Sequence, residues 1–232
     1  MPVPIRHPHR WPTTVAEAEA LQEQLKGLVS LTSPDSAVVR TVAGLDVAYA
    51  PDQDRVAGAV VVLDAVTLEV VDQGVSVGRV TFPYVPGLFA FREVPALLKA
   101  LEQLSVTPDL MICDGHGLAH PRRFGLACHL GVLTGIPTIG VGKTPLVGRW
   151  DPPGRRRGEW SPLRDGDQVV GQVLRTRDDV KPVFVSVGHL MDLEAARDQV
   201  LAQTPRYRLP EAIRYADQLC RSALVTSSRG QS

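Results

Sequence analysis

The chain has 232 residues, 44% hydrophobic and 22% charged, which suffices for one substantial core and gives little reason to expect two. Lys plus Arg equals Asp plus Glu at 25 each, so no overall basic charge points to a nucleic-acid partner, and only the local distribution of charge can. No apolar run approaches the roughly 20 residues of a membrane span, and no repeat of solenoid length stands out; a soluble protein with no membrane partner is expected.

Residues 1–12 are Pro/His/Arg-rich with no apolar core after them, so they read as a disordered lead-in rather than a secretory leader. From Val15 to Val29, Ala18, Leu21, Leu25 and Leu28 recur at helical spacing, and Thr13-Thr14 offers an N-cap ahead of Glu17. Three Val-rich runs follow, Thr41–Ala50, Ala57–Asp64 and Glu69–Val77, separated by turn-forming segments, and predict an antiparallel meander. A Pro-rich loop, Thr81 to Gly87, leads into a helical pattern over Leu88–Gln103. Pro95 predicts that this helix starts near it.

The strand Leu110–Asp114 comes next, then a Gly-rich loop, a helix from about Arg123 to Leu133, and the strand Thr138–Val141. That alternation predicts βαβ connections and a parallel half-sheet. Val169–Arg175 and Pro182–Val187 add strands, Leu193–Gln203 and Pro210–Leu224 add helices, and 226–232 reads as a disordered tail. The expected fold is a single-domain, ribonuclease H-like α/β sheet over residues 13–225, meander first and parallel strands after, flanked by helices. Cys113, Cys128 and Cys220 lack CxxC spacing and sit in apolar or helical contexts, as reduced thiols of a cytoplasmic protein would.

Two carboxylates stand out because of where they fall. Asp114 ends an apolar strand just before the turn Gly115-His116-Gly117, and Asp46 lies inside the strand-like run Val42–Tyr49. A lone strand Asp more often caps a turn or pairs with an Arg. Two of them on neighbouring strands can instead share a hard cation such as Mg²⁺, which selects oxygen ligands and keeps several waters. Such a centre suits phosphodiester hydrolysis. Glu93 at a helix start and Asp217 on the last helix are further acidic candidates, although helical acids usually face solvent.

The segments Pro83-Tyr84-Val85-Pro86-Gly87-Leu88-Phe89-Ala90-Phe91-Arg92-Glu93 and Asp114-Gly115-His116-Gly117-Leu118-Ala119-His120-Pro121-Arg122-Arg123 resemble signature motifs of the endonuclease V family. Pro137–Lys143, the strand around Asp46 and the stretch Tyr207–Asp217 resemble it as well, in order, across residues 15 to 225. The resemblance implies an enzyme that recognises deoxyinosine, the deamination product of adenine, and cuts the second phosphodiester on its 3′ side. By matching position it makes Asp46 and Asp114 the metal ligands, with Mg²⁺ or alternatively Mn²⁺, and Glu93 a further acidic member. Asp217 stands where the family carries Asp or His, and Lys143 matches a lysine near the cleaved phosphate, where a point charge stabilises developing negative charge.

The same resemblance makes Tyr84 a wedge at the lesion. A loop flanked by prolines can hold an aromatic ring against the base left behind when a nucleotide leaves the stack, unless the ring simply plugs a core edge beside Phe82. Gly115 and Gly117 would let the backbone approach closely, its amide donors and carbonyl acceptors reading the flipped hypoxanthine, with His120 and Leu146 near the same pocket.

Partners follow from this: DNA containing deoxyinosine, or inosine-containing RNA, since relatives differ in that preference and a 2′-OH contact can come from backbone groups. A monomer is expected. A non-catalytic nucleic-acid-binding relative is a competing reading, opposed by the intact Asp46, Glu93 and Asp114. A metabolic α/β enzyme is another, opposed by the absence of GxGxxG, GxxxxGK and GxSxG. The sequence presents no covalent nucleophile with an adjacent base, so water must attack phosphorus, leaving 3′-hydroxyl and 5′-phosphate ends. Arg155-Arg156-Arg157 belongs to no matched motif, and His189 is read as structural.

Overall fold

In the computed structural model, which describes residues 3–34, 38–51 and 54–229, the Val-rich segments pair into an eight-stranded sheet. Strands β1 (Thr41–Tyr49), β2 (Arg55–Asp64) and β3 (Val70–Arg79) form the expected antiparallel meander. Strand β4 (Leu110–Asp114) lies parallel to β1, and β5 (Thr138–Gly142) lies parallel to β4. The resulting order β3-β2-β1-β4-β5 is the ribonuclease H-like arrangement.

Past β5 the sheet continues through β8 (Val183–His189), β7 (Gln168–Leu174) and β6 (Trp160–Asp165), every one of them antiparallel to its neighbour. The parallel half-sheet is therefore limited to β1, β4 and β5. Strand β6 was not among the expected elements, because Pro162 and Arg164 interrupt its apolar pattern. It is an edge strand, where a proline breaks no ladder bond on its solvent side. The turn Gly166-Asp167 that joins it to β7, with Gly166 at φ +59°, is the hairpin signal that marks it in the sequence.

Helix α1 (Val15–Lys26) opens on a capping box, Thr14 accepting from the Glu17 N–H while the Glu17 carboxylate reaches back. Helix α2 (Ala90–Leu101) starts five residues ahead of Pro95, a correction to the expected start. Its entry is built from Phe91 N–H to Leu88 O (3.1 Å) and Arg92 N–H to Phe89 O (2.9 Å), and this early start places Glu93 in the first turn. Helix α3 (Leu126–Thr134) begins after Gly125, three residues later than expected.

Strand alternation divides the core between two faces. Leu45, Val60 and Val62 pack under Val94, Leu97 and Leu101 of α2 and Leu130 and Leu133 of α3. Val61 and Leu63 point the other way, toward Ala212, Ala216 and Cys220 of α5 (Glu211–Arg229), and α4 (Leu193–Ala202) covers the same side near β8. Gly44 decides how close α5 comes: a Cβ there would stand 2.0 Å from the Ala212 carbonyl carbon. Backbone-to-backbone contact between β1 and α5 thus sets Asp217 beside Asp46.

The segment expected as a disordered lead-in is laid against α3 instead. Val3 is buried in the α2/α3 core, the Arg6 N–H donates to Leu133 O (2.6 Å), and His9 Nε2 meets His129 Nε2 at 2.8 Å. All nine residues of α3 are buried, so its outer face needs this cover, and Val3 and Trp11 supply it. Met1 and Pro2 lie outside the described residues. At the other end α5 runs to Arg229, through the start of the expected tail, and residues 230–232 lie outside the described residues.

Candidate active site

Parallel pairing of β1 with β4 matches Leu45 to Cys113, so the next residues, Asp46 and Asp114, sit side by side where the strands end their ladder. Adjacent strands are about 4.8 Å apart, close enough for one ion to bridge two carboxylates. Asp46 is 8% exposed, and its Oδ1 accepts from the Val47 N–H at 2.7 Å. Its carboxyl is raised to about 8, by burial first and by Asp114 and Asp217 as well, against the Val47 amide and Lys143. Lys143, just after β5, places its ammonium on the Asp114 carboxylate. Burial works against that charge, but the Asp114 hydrogen bond and the fields of Asp114, Asp46 and Asp217 outweigh it and hold the lysine above its ordinary value.

Glu93 reaches the centre from α2. Its Oε1 accepts from the Tyr49 hydroxyl at 3.3 Å, and Arg92 lies 5.1 Å from the Tyr49 ring centroid while donating to Phe82 O at 2.9 Å. Glu93 is raised to about 7, by burial first and by Asp114, against the Tyr49 hydrogen bond and Arg92. Asp217 comes from the opposite side, on α5, ion-paired with Arg221 at 2.7 Å. The four expected acids therefore gather around the paired strand ends, Glu93 lining a hollow with Asp114 and Asp217 lining another with Asp46 and Lys143. Arg208 fixes the lysine segment by donating to Lys143 O (2.7 Å) and Pro182 O (2.8 Å).

A pocket of about 290 Å³ opens beside Asp114 and Glu93. Its apolar walls are Phe89, Leu126 and Leu146, with Gly115, His116 and His120 completing it. His120 is a brace between two loops: its Nε2–H donates to Gly87 O (2.8 Å) and its Nδ1 accepts from the Arg122 N–H (3.2 Å). Burial drives its pKa down to about 4, so it stays neutral with both nitrogens occupied. Tyr84 is 61% exposed on the rim, edge-on to Phe89 with ring centroids 4.8 Å apart.

The two glycines expected to read a base differ in placement: Gly115 lines the pocket and Gly117 does not, and the amides of both are engaged within the fold. The Gly115 N–H donates to Val141 O (3.2 Å) and the Gly117 N–H to Ser186 Oγ (2.8 Å), so both donors are already used within the fold. Gly117 is outside the pocket wall, and it is glycine because a Cβ would come within 2.0 Å of Val187 O.

Phe89, His116 and Leu126 are among the pocket residues that the sequence reading did not single out. Phe89 lay inside the recognised Pro83–Glu93 segment, where its aromatic ring was the available signal. His116, whose Nε2–H donates to Thr144 O at 3.0 Å, and Leu126, the first residue of α3, reach the pocket only through the tertiary fold. The Arg155–Arg157 loop lies elsewhere: Arg155 pairs with Asp179 and Arg157 donates to Leu201 O (2.7 Å). His189 accepts from the Ser30 N–H (3.1 Å), a structural contact.

The donor set suits a hard divalent cation. Asp46 and Asp114 offer only oxygen, and the neighbouring Asp114 charge adds to the cost of ionising the buried Asp46 unless a cation joins them; the Lys143 ammonium already stands against Asp114. Among the described residues no three His, Cys, Asp or Glu side chains converge to hold a metal by themselves. Two carboxylates, with water and a substrate phosphate completing the shell, are what such a site provides.

A ribonuclease H-like sheet carrying paired carboxylates at adjacent strand ends, under a lysine, defines a nuclease of the phosphodiester-hydrolysing class. The family model described as Endonuclease V matches residues 23–218. Endonuclease V of Nocardia farcinica is 60% identical over 219 residues, covering 94% of this chain and 96% of the relative. The crystal structure of Endonuclease V from Streptomyces avermitilis superposes with a TM-score of 0.91 at 53% identity, covering 98% of this chain and all (100%) of that one. A Ciona intestinalis Endonuclease V bound to a 24mer DNA containing an inosine followed by a ribo-adenosine superposes with a TM-score of 0.78 at 28% identity, over 91% of this chain and 98% of that one. The chain belongs to the endonuclease V family.

Proposed function

We propose that this protein is a divalent-cation-dependent DNA repair endonuclease that recognises deoxyinosine and hydrolyses the second phosphodiester on its 3′ side. The observation that carries the reading is the pocket of about 290 Å³ opening onto Asp114, with Asp46 next to it. A flipped base in the pocket leaves the backbone on its 3′ side facing the two carboxylates. The inosine-containing DNA bound by the Ciona relative supports the same assignment.

Asp46 and Asp114 would hold Mg²⁺ or Mn²⁺, which when bound neutralises charge on the phosphate and lowers the pKa of water. Lys143, between Asp114 and the open cleft, supplies a positive charge where negative charge grows at phosphorus. Glu93, poised near 7 and oriented by Tyr49, can hold or release a proton close to neutral pH. Phe89, Leu126 and Leu146 clasp the faces of the base, and Tyr84 fills the gap it leaves.

A second reading, an inosine-specific endoribonuclease, is favoured by one observation: the ligand of the Ciona relative carries ribo-adenosine directly after the inosine. Matched strands with a single deoxyinosine or inosine, incubated with Mg²⁺, Mn²⁺ or a chelator, separate the two once the product ends are mapped. We expect a nick one nucleotide beyond deoxyinosine, with 3′-hydroxyl and 5′-phosphate ends and the base retained. Cleavage of the ribonucleotide strand alone would establish the second reading. Free hypoxanthine, a borohydride-trapped adduct, or full activity in chelator would overturn the mechanism.

A further inference from the structure

The cleft does not stop at Asp46. A hollow of about 430 Å³, bordered by Asp46 and Lys143, runs along α5 past Arg214 and Arg221. A second hollow of about 440 Å³ adjoins it, sharing Tyr207, Arg214 and Gln218 and adding Arg206 and Tyr215. Arg214, Gln218 and Arg221 follow one another at i, i+4 and i+7, so they share a helix face about 10 Å long.

The chemistry of this face is specific. Tyr207 and Tyr215 are 43% and 42% exposed, far more than a pair of core tyrosines would be. The Arg214 guanidinium lies 3.4 Å from the Tyr207 ring centroid, covering one face of that ring. Glu211 is matched by Arg214 at 2.6 Å, Asp217 by Arg221 at 2.7 Å and Lys143 by Asp114, so Arg206 and Arg208 against Asp46 leave the groove net positive. Exposed aromatic rings interleaved with arginines along a groove are the requirements for holding a single nucleic-acid strand: rings stack bases and cations follow phosphates.

We infer that the two hollows form an exit groove for the strand 3′ of the cut, with Tyr207 and Tyr215 as stacking platforms and Arg206, Arg214 and Arg221 as phosphate contacts. The inference rests on the proposed function, which sets its polarity. The base pocket lies on the Glu93 side of Asp114 and the hollows lie on the Asp46 side, so a strand cut 3′ of the lesion continues along α5. The groove then adds affinity that depends on the length of the 3′ arm and not of the 5′ arm.

The test measures binding of the full chain, in chelator, to single strands carrying one deoxyinosine, with 3′ arms of two or eight nucleotides and a constant 5′ arm. Stacking is worth about 1–3 kcal/mol per base, and 1.4 kcal/mol is tenfold, so lengthening the 3′ arm should tighten the parent about tenfold or more. In Y207A and in the double variant R206A/Y215A that gain should fall below about threefold, while Y215F keeps it. A gain unchanged in these variants, a gain lost equally in Y215F, or one that follows the 5′ arm would overturn the groove. Nick mapping on the same strands separates the two proposals: a cut at the expected bond with an unchanged arm gain sinks the groove alone, whereas a cut elsewhere sinks the site reading beneath it.

Discussion

Replacing Asp46 by Asn should abolish cleavage and yet stabilise the protein in chelator. The buried carboxyl sits beside Asp114 and is raised to about 8, whereas in the unfolded chain it titrates near 4. Because the folded state holds the proton more tightly, stability is lost as pH rises from about 4 through 8. Across the interval from about 4 to 7, at roughly 1.4 kcal/mol per pH unit, the ceiling on this penalty at pH 7 is about 4 kcal/mol. Relaxation and water entry bring it to about 1–3 kcal/mol. Asn carries no charge, keeps an acceptor for the Val47 N–H (2.7 Å in the parent) and offers a donor toward Asp114. For a chain of this size each kcal/mol moves the melting temperature by roughly 2–4 °C, so D46N should melt roughly 3–10 °C higher at pH 8 in chelator. At pH 4.5 the difference should nearly vanish, and added Mg²⁺ should raise the parent far more than the variant. An equal or lower melting temperature at pH 8, a difference that ignores pH, or retained cleavage would refute the reasoning.

Tyr84→Ala should weaken discrimination between inosine-containing and undamaged duplexes by about 1–3 kcal/mol while changing single-turnover cleavage of bound substrate little; competitive binding measures the first and rapid quench the second. Gly117→Ala forces a Cβ to 2.0 Å from Val187 O, and should cost about 1–3 kcal/mol in urea unfolding although the residue lies outside the pocket; parent-like stability would contradict that packing. Burial, with His9 adding, holds His129 neutral down to about 3, so the unfolded chain takes up a proton first and stability drops as pH falls from about 6.5 toward 3. His129→Phe, among the rings of Trp11, Phe91 and Phe124, should reduce the pH dependence of unfolding by about one proton over that range, and an unchanged slope would show that His129 is not the group titrating.

Much of the fold followed from short-range pattern. The Val-rich runs of β1 to β3, the capping box at Thr14 and the strand-ending Asp114 are local signals, and each element formed where its residues allow. Asp46, Glu93, Asp114, Lys143 and Asp217 could be named from sequence because charge in an apolar strand and motif order are both visible along the chain. Other features depend on what approaches from far away. Only packing shows that Val3 to Trp11 cover α3, since an irregular segment has no period and its place depends on a face left open 120 residues later. Gly117 looked like a base-reading glycine, but the neighbour that demands it is the Val187 carbonyl, and its amide goes to Ser186. Phe89, His116 and Leu126 become one pocket only when the starts of α2 and α3 and the loop after β4 converge beside Asp114. The sequence by itself determined which groups carry charge and which segments can be strand or helix, because those depend on neighbours in the chain. Which donors remain free, which ring lines the pocket and where the cleft continues were decided by tertiary structure, because hydrogen-bond partners and empty space belong to contacts between distant residues.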